Sequence, residues 1–435
     1  MRAEISKARE AAWYVISRCR RFDAWSEQML DNARKRYSLD DRDAALCSRL
    51  CLSVLQNAAL CDHYIDCYSS VPSARLEPQT RDILRLGICQ LLFTDRIPVS
   101  AAISQSVELA KAHANRAAGL VNAVLRRVAE NKNDLPPVPQ QGTAYELSVR
   151  YSHPLWLCEK LTEEHGYAFT AAYLAANNRQ PGLTLSVNLC RTDTVSFAER
   201  LKMNGREAAL NRLSEVSLDL LGGGAVTAVP GYDEGLFFVQ DAAAARSILS
   251  AAPAPGSRIL DVCAAPGGKS LLCASLMKDL GEILACDVSA KKLPRIRENA
   301  KRLGFSSISV RQMDASDPHG DLLERFDLVI CDAPCSGLGV IRKKPEIRYK
   351  SPEDIRRLPE VQLKILRGAA RCVRPGGTLL YSTCTILKKE NEAVAAAFLA
   401  DHRSFSAEET RTIWPQEYDT DGFFYCRMRK NDDSQ

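Results

Sequence analysis

The sequence predicts a multidomain protein with an all-α bundle at the N-terminus, a small α+β domain in the middle and a C-terminal α/β domain. Three observations predict this fold class. Residues 1–130 show apolar side chains at helical spacing, residues 131–142 are polar and proline-rich, and strand-like segments alternate with helical ones from residue 256. A chain of 435 residues is long enough for two to four domains of ~150 residues each.

The N-terminal region, 1–130, lacks the strict alternation of a strand and is predicted to be helical throughout. It is divided into short helices by three prolines, Pro72, Pro78 and Pro98. One apolar stripe is predicted to face its core: Leu84, Ile88, Leu91 and Leu92. The following segment, 131–142, holds three prolines and is predicted to be an extended linker.

The middle region, 143–255, has a mixed pattern. Its first part is predicted to be helical, and residues 183–189 alternate as a strand does. Further short strands are predicted at 218–220, 225–229 and 236–239. The region is therefore predicted to be a small α+β domain.

The C-terminal region, 256–431, alternates strands with helices, which is typical of a doubly wound, mainly parallel sheet. Strands are predicted at 258–265, 282–288, 307–314, 327–334, 377–384 and 422–430. The helix before the fifth of these is predicted to open at Ser351 and Pro352. Ligands bind such sheets beyond the carboxyl ends of the strands, which is where Cys335 and Cys384 fall.

The loop DVCAAPGGKS, 261–270, joins the first of these strands to a helix. Its small residues and glycine pair allow a ligand to approach the backbone closely, and the helix N-terminus offers free N–H groups. It matches neither the GxGxxG fingerprint nor the phosphate-binding P-loop, so nucleotide triphosphate hydrolysis is disfavoured. Acidic residues end three successive strands, where they could contact a nucleoside: Asp287, Asp314 and Asp332.

Composition and charge exclude several classes of protein. The formal charge of +5 permits a nucleic-acid partner without requiring one. The 16 cysteines are spread through the chain without a CxxC pair, which argues against zinc and against a disulfide framework. The N-terminus lacks the apolar core of a signal peptide, and no uncharged run approaches the ~20 residues of a membrane span. We expect a cytoplasmic protein with reduced thiols, no metal and no membrane association.

Several motifs, in order along the chain, resemble the RNA cytosine-C5 methyltransferases of the NOL1/NOP2/Sun type: DVCAAPGGKS, CDV, QMDAS, DAPCSGLGVIRKKPEIR, YSTCTI and DGFFYCR. The segments LRLGICQLLFTDRIPVSAAISQSVELAK and GLVNAVLRR resemble the NusB-type helical RNA-binding domain. This fusion is similar to bacterial small-subunit rRNA methyltransferases. The resemblance covers nearly the whole chain and is weakest through residues 190–230.

The resemblance implies a Rossmann-like catalytic domain that transfers a methyl group from S-adenosylmethionine to carbon 5 of a cytosine in 16S rRNA, nominally cytosine 967. It implies that Cys384 is the nucleophile, that Cys335 assists product release as a base, and that Asp332 contacts the cytosine. The implied cofactor pocket consists of Cys263, Ala264, Ala265, Pro266, Gly267, Gly268 and Lys269, with Asp287, Asp314 and Asp332. The implied enzyme is a monomer acting on unassembled or partly assembled small subunits.

Residues within and beside these motifs bear on which atom is methylated and on which cysteine is the nucleophile. Amino-methyltransferases carry an Asn/Asp-Pro-Pro-aromatic motif where this chain has Asp332-Ala333-Pro334-Cys335, so a carbon target is favoured. DNA cytosine methyltransferases take their nucleophile from a Pro-Cys motif, so sequence logic alone also allows Cys335 as nucleophile. The family usually shows a proline and acidic residues after the nucleophile, whereas this chain has Lys388 and Lys389, whose charge could favour a thiolate.

A basic segment beside the predicted site is expected to contact RNA phosphates through Arg342, Lys343, Lys344 and Arg348. Two alternatives remain open at this point. One keeps the chemistry but changes the substrate to tRNA or 23S rRNA. The other is a non-catalytic NusB-like RNA-binding or antitermination factor, against which the presence of both cysteines argues.

Overall fold

The structure, a computed structural model, describes residues 5–21, 24–318 and 320–432. The chain divides into two compact units. The first, the helical unit, comprises residues up to 179 together with 341–352, and the second, the catalytic unit, comprises 180–340 and the residues from 353 onward. The region 143–255, predicted as one domain, is thus divided between the two units at residue 180.

The helical unit consists of helices joined by turns and loops, the longest of which, between α6 and α7, is the predicted linker with residue 143. Its described helices are α1 Lys7–Arg21, α2 Ser26–Arg36, α3 Asp41–Tyr68, α4 Pro78–Leu92, α5 Val99–His113, α6 Ala118–Glu130, α7 Ala144–Arg150, α8 Leu155–His165 and α9 Tyr167–Asn177. Asp40 caps α3 by accepting a hydrogen bond from the Asp43 amide at 2.7 Å, and Pro78 occupies the first turn of α4. The core of the unit contains Leu84, Ile88 and Leu91, as the apolar stripe predicts, whereas Leu92 is only partly buried.

Helix α3 is the one described helix that is long and apolar enough to cross a membrane. Its inner face, including Leu50, Val54 and Leu55, is fully buried in the core of the helical unit. Its length and hydropathy are therefore explained by its central position in the bundle.

The catalytic unit contains two sheets. Its described strands are β1 Leu183–Val187, β2 Ala208–Leu210, β3 Ser217–Leu220, β4 Phe237–Val239, β5 Arg258–Asp261, β6 Glu282–Asp287, β7 Ile308–Gln312, β8 Phe326–Asp332, β9 Val373–Thr383, β10 Phe405–Ile413 and β11 Phe423–Lys430. Its helices are α10 Thr194–Met203, α11 Ala242–Ala251, α12 Gly268–Leu276, α13 Leu293–Leu303, α14 Leu358–Ala370, α15 Glu392–Asp401 and α16 Pro415–Tyr418.

The smaller sheet is antiparallel, in the order β2-β3-β1-β4. The larger sheet, within the described part of the chain, has the order β10-β11-β9-β8-β5-β6-β7. Strands β7, β6, β5, β8 and β9 run parallel, whereas β11 inserts antiparallel beside β9 and β10 pairs antiparallel with β11. Because β5, β8 and β9 are adjacent and parallel, their carboxyl ends meet at one edge of the sheet.

Three predictions of local structure are wrong. Residues 226–228 form a 3-10 turn instead of the strand predicted at 225–229, after the glycine-rich segment 222–224. The helix predicted to open at Ser351 begins at Leu358, with Pro359 in its first turn. Strand β10 was not predicted, because it is a sheet edge whose largely exposed side chains, such as Glu408 and Glu409, give no apolar alternation.

Candidate active site

The loop after β5 is closely packed against its neighbours. Gly267 has a φ of +110°, which a side chain would strain, and a Cβ there would lie 3.3 Å from Ile296 Cγ2. A Cβ on Gly268 would lie 3.4 Å from Gln240 Nε2. The glycine pair therefore lets the loop turn into α12 without displacing α13 or Gln240.

A cavity of about 170 Å³ opens beside this loop. It is lined by loop residues Cys263, Ala264, Ala265, Pro266 and Gly268, by Lys269, and by Gln240, Asp261 and Asp332. Gly267, predicted with the others, shapes the turn and does not line the cavity. Sequence reasoning missed Gln240 and Asp261, although Asp261 is the first residue of the quoted loop.

Two polar atoms at this cavity are buried without a hydrogen-bond partner. Gln240 Nε2 is a donor and Asp261 Oδ1 is an acceptor, while the other oxygen of Asp261 accepts a 2.7 Å hydrogen bond from Ser270 Oγ. Burial raises the pKa of Asp261 to about 7, against the opposing effects of Ser270 and Lys269. An unpaired donor and acceptor at one cavity fit a ligand that carries both an anionic and a cationic group.

The two other acidic residues predicted for this pocket lie outside the cavity lining. Asp287 ends β6 and is buried, and its Oδ1 accepts a hydrogen bond from the Ser289 amide at 2.9 Å. Asp314 lies two residues beyond β7, is exposed, and accepts a hydrogen bond from the Ser316 amide, which lowers the pKa of Asp314. Both lie at the carboxyl ends of their strands, the edge of the sheet where the cavity opens, and their contact with a nucleoside stays a prediction.

The two predicted cysteines meet beyond the ends of β8 and β9. Asp332 of β8 is in register with Ser382 of β9, so the loops that follow place Cys335 Sγ and Cys384 Sγ 3.3 Å apart. Both side chains are only partly buried. At this distance the two sulfur atoms share a hydrogen bond, and the pair titrates as one coupled unit.

The surroundings make Cys384 the more acidic member of the pair. A hydrogen bond from Cys335 lowers the pKa of Cys384, burial and the charges of Asp332 and Asp421 oppose this effect, and Lys269 assists it. The same hydrogen bond, together with burial, raises the pKa of Cys335 well above its usual range. Cys384 is therefore the member of the pair that ionises more readily, and Cys335 is the thiol that would donate the shared hydrogen bond to it.

Lys269 and Asp332 form an ion pair beside the cysteines. Lys269 Nζ lies 2.6 Å from Asp332 Oδ2, and Ser382 Oγ donates to Asp332 Oδ1 at 2.8 Å. Burial lowers the pKa of Lys269, but the charge and hydrogen bond of Asp332, together with the charges of Asp261 and Cys384, outweigh it and the net shift is upward. Lys269, predicted as a cofactor residue, thus supplies a fixed positive charge to the cysteine pair.

Lys388 and Lys389 follow Cys384 in the sequence, but the structure also brings a distant lysine to the thiol. Lys388 is exposed. The cation whose charge lowers the pKa of Cys384 is Lys269, which comes from α12 and is distant in sequence.

Replacing Lys269 with methionine is expected to raise the pKa of Cys384, because the variant loses the positive charge that stabilises the thiolate. Less thiolate at pH 7 should slow alkylation of Cys384 by about 10-fold per pKa unit, with recovery as the pH is raised. The measurement is the rate of iodoacetamide labelling of the Cys384 peptide against pH. Lys388→Met is the control, and an equal shift in that variant would contradict the role of Lys269.

A close backbone contact fixes the loop of Cys384. The Gly339 amide donates to the Cys384 carbonyl at 3.0 Å, and the Gly422 amide donates to the Gly339 carbonyl at 2.8 Å. A Cβ on Gly339 would overlap the Gly422 carbonyl oxygen. Glycine at this position therefore allows three loops to meet directly beside Cys384.

The basic segment predicted to contact RNA folds with the helical unit. Arg348 is 4% exposed, and its guanidinium donates to the carbonyls of Gln56, Tyr151, Ser152 and Asn177 and to Asn178 Oδ1. Burial lowers the pKa of Arg348 to about 10. The prediction that Arg348 faces RNA is corrected, because its donors are used by carbonyls within the helical unit.

The other three cations of this segment differ in exposure. Arg342 is 3% exposed, which also argues against a phosphate contact in this conformation. Lys343 and Lys344 are exposed, and Lys344 Nζ lies 5.3 Å from the ring centroid of Trp25. RNA contact by these two lysines stays a prediction.

Replacing Arg348 with methionine is expected to lower the Tm of the protein by several degrees. The change removes a donor from the carbonyls of Gln56, Tyr151, Ser152 and Asn177, at a cost of about 1–3 kcal/mol for each buried group that is left unsatisfied. The measurement is the Tm of thermal unfolding of the variant. Lys343→Met, which changes an exposed residue of the same segment, is the control and should shift Tm by less than about 1 °C. Equal and small effects of both changes would show that Arg348 has no structural role.

Among the residues at 5–21, 24–318 and 320–432, no group of three or more His, Cys, Asp or Glu side chains is arranged to hold a metal ion.

Comparison with known proteins places the chain in a family. Residues 248–429 match the family described as 16S rRNA methyltransferase RsmB/F, residues 6–130 match the NusB family, and residues 153–227 match the ferredoxin-like domain of the RsmF/B-like methyltransferases. The probable ribosomal RNA small subunit methyltransferase B of Bacillus subtilis (strain 168) is 32% identical over 98% of this chain and 99% of that protein.

Two further proteins are similar over most of their length. The ribosomal RNA small subunit methyltransferase B of Erwinia tasmaniensis is 34% identical over 90% of this chain and 92% of that protein. The crystal structure of PH0851 is 27% identical, with a TM-score of 0.79 over 98% of this chain and 99% of that one. The predicted fold class is confirmed, and the chain belongs to the S-adenosylmethionine-dependent 16S rRNA methyltransferases of the RsmB/F family that carry an N-terminal NusB domain.

Proposed function

We propose that the catalytic unit methylates carbon 5 of a cytosine in 16S rRNA, nominally cytosine 967, through a covalent bond between Cys384 and carbon 6 of the base. The observation that carries this proposal is the cysteine pair, 3.3 Å apart, beside the Lys269–Asp332 ion pair. Carbon 5 of cytosine is a poor nucleophile. Addition of a thiolate at carbon 6 makes it enamine-like, so one difficult step becomes two easier ones.

Cys384 acts first. Its thiolate adds to carbon 6, and the electron pair of the C5–C6 double bond moves into the ring, where it gives carbon 5 nucleophilic character. Asp332, held by Lys269 and Ser382, is proposed to hydrogen-bond the cytosine ring edge or amine and so orient the base, and the positive charge of Lys269 is proposed to stabilise the negative charge that the addition creates. The target base must leave its stack to reach these residues.

Cys335 acts second. Once Cys384 has become a thioether, it no longer accepts a hydrogen bond as an anion, so the largest of the effects that raise the pKa of Cys335 is lost, while burial and the charges of Glu390 and Asp332 remain. Cys335 can then lose its proton to solvent and take the proton from carbon 5. The C5–H electrons re-form the C5–C6 double bond and the Cys384–C6 bond breaks, which releases the methylated base.

S-adenosylmethionine supplies the electrophilic methyl group when bound. The cavity beside the loop 261–268 fits the amino-acid end of that molecule, because Asp261 Oδ1 offers an unpaired acceptor to an ammonium and Gln240 Nε2 an unpaired donor to a carboxylate. Asp287 and Asp314 are proposed to bind its ribose and adenine from the ends of β6 and β7.

We further propose that the enzyme is a cytoplasmic monomer that acts on unassembled or partly assembled small subunits. Lys343 and Lys344, both exposed, are proposed to contact RNA phosphates. Each lysine that contacts a phosphate should contribute about one unit to the slope of the logarithm of the RNA-binding constant against the logarithm of the salt concentration.

The test is methyl transfer from labelled S-adenosylmethionine into total RNA that lacks the modification, with rRNA and tRNA separated and the product nucleoside identified. Label in 5-methylcytidine of 16S rRNA supports the proposal. Label in 5-methylcytidine of tRNA or 23S rRNA would support the proposed reaction but show that 16S rRNA is not the substrate. No label in any RNA or small-subunit assembly intermediate, with the cofactor bound, would favour a non-catalytic RNA-binding factor.

A further inference from the structure

A buried carboxylate lies behind the cysteine pair and has no role in the chemistry described above. Glu390 is fully buried. Its Oε2 accepts hydrogen bonds from the Ser336 amide and from Gln362 Nε2, both at 2.9 Å. Gln362 Nε2 also donates to the Pro334 carbonyl at 3.0 Å. The residues on both sides of Cys335 are therefore fixed by Glu390, directly or through Gln362.

The same short segment fixes the residues around Cys384. Tyr381 donates through its hydroxyl to the Glu390 carbonyl at 2.5 Å. The neighbouring Asn391 accepts from Thr383 Oγ1 at 2.5 Å and donates to the Thr385 carbonyl at 3.0 Å. Glu390 and Asn391 thus form a common anchor for the strand end that carries Cys384 and for the loop that carries Cys335.

Geometry alone does not explain why this anchor is charged. Burying a carboxylate is costly unless its oxygens are satisfied, yet Glu390 Oε1 is buried without a hydrogen-bond partner. An anchor needs only an acceptor for Ser336 and Gln362, which an amide oxygen could provide. The charge is therefore expected to act on a neighbouring group, and one titratable group beside the network is Cys335, whose neighbour Ser336 is bonded to Glu390.

The charged groups that act on the two sulfur atoms differ. Cys335 experiences the negative charges of Glu390 and Asp332, whereas Cys384 experiences Asp332, Asp421 and the positive charge of Lys269. A negative charge disfavours a thiolate and a positive charge favours one. Glu390 therefore disfavours a thiolate at Cys335, and Lys269 favours one at Cys384. Both effects place the negative charge of the pair on Cys384.

We propose that Glu390 is a positioning residue for both cysteines and that its charge keeps the shared proton of the pair on Cys335, leaving Cys384 as the thiolate. The proposal rests on the proposed function and deepens it, because it explains how two adjacent cysteines take different roles. Glu390 does not touch the substrate and acts only through the two sulfur atoms.

The test compares the wild-type enzyme with Glu390→Gln, which keeps an acceptor for Ser336 and removes the charge. The rates of iodoacetamide labelling of Cys384 and Cys335 are measured separately by mass spectrometry across pH. The ratio of the two rates at pH 7 is expected to favour Cys384 in the wild type and to fall by about 10-fold or more in Glu390→Gln. Labelling across pH distinguishes an effect of the Glu390 charge from a purely structural role, because a structural role would leave the ratio of the two labelling rates unchanged.

The matched control is Glu392→Gln, two residues away in the first turn of α15, where Glu392 Oε1 accepts from Thr412 Oγ1 at 3.3 Å. It should leave the ratio as in the wild type. An unchanged ratio in a folded Glu390→Gln enzyme, or an equal change in both variants, would overturn the proposal.

A second measurement applies where Glu390→Gln does not fold. Each cysteine is examined alone, Cys335 in Cys384→Ser and Cys384 in Cys335→Ser. Cys335 alone, beside Glu390, is expected to label at least about 10-fold more slowly at pH 7 than Cys384 alone, and equal rates would overturn the proposal. Because labelling needs no RNA, these results stand apart from the methyl-transfer assay, whose failure would count against the proposed function.

Discussion

Replacing Cys384 with alanine is expected to reduce methyl transfer to 16S rRNA by at least about 1000-fold, since the covalent step has no other route. Binding of S-adenosylmethionine should change by less than about twofold, because Cys384 does not line the cavity beside the loop 261–268. The measurements are single-turnover transfer of a labelled methyl group and calorimetric binding of the cofactor.

The control for Cys384→Ala is Cys190→Ala, which removes an exposed thiol elsewhere in the catalytic unit and should leave turnover intact. Turnover retained by Cys384→Ala would show that Cys335 is the nucleophile, the alternative that the DAPC motif allows. The geometry favours Cys384, because the hydrogen bond between the two sulfur atoms lowers the pKa of Cys384 and raises that of Cys335, and Lys269 and Glu390 act in the same directions.

Replacing Cys335 with alanine is expected to trap the enzyme on its RNA. Without the thiol 3.3 Å from Cys384, no cysteine base takes the carbon 5 proton, so the Cys384–C6 bond forms but does not break. A protein–RNA adduct stable in denaturing gels should accumulate to near one per enzyme, and multiple-turnover methylation should fall by at least about 100-fold.

The adduct is identified by its dependence on the nucleophile. The double variant Cys335→Ala, Cys384→Ala should form none, and treatment with ribonuclease should reduce the adduct to protein carrying a short nucleotide remnant. Normal turnover by Cys335→Ala without any adduct would remove Cys335 from product release and leave that step to a group outside the cysteine pair.

Much of the fold was predictable because each region has a strong local pattern. The helices of the first region and the alternating strands and helices after residue 256 are confirmed, with boundaries that differ by a few residues. The errors fall where the local pattern is weak. Strand β10 is an edge with polar side chains, and the residues around Ser351 belong to a segment that folds with the helical unit.

The sequence also predicted which motifs lie close together in the folded protein. Parallel strands have their carboxyl ends at one edge, so motifs at the ends of β5, β8 and β9 had to lie near each other. The resemblance to a known family then supplied roles for Cys384, Cys335 and Asp332. Family membership is confirmed by the comparisons, whereas the roles of the individual residues await the experiments above.

Only the tertiary structure decided which charges face which sulfur atom. Lys269 and Asp332 are 63 residues apart in sequence, and Cys335 and Glu390 lie on different loops, so no local pattern predicts that they act on one cysteine pair. Likewise, Arg348 sits in a basic run that resembles an RNA-binding surface, yet its guanidinium is buried against carbonyls from three distant segments. Hydrophobic periodicity in the sequence predicts which face of a helix or strand is buried. The partner of a buried charge depends on long-range packing, which that pattern does not show.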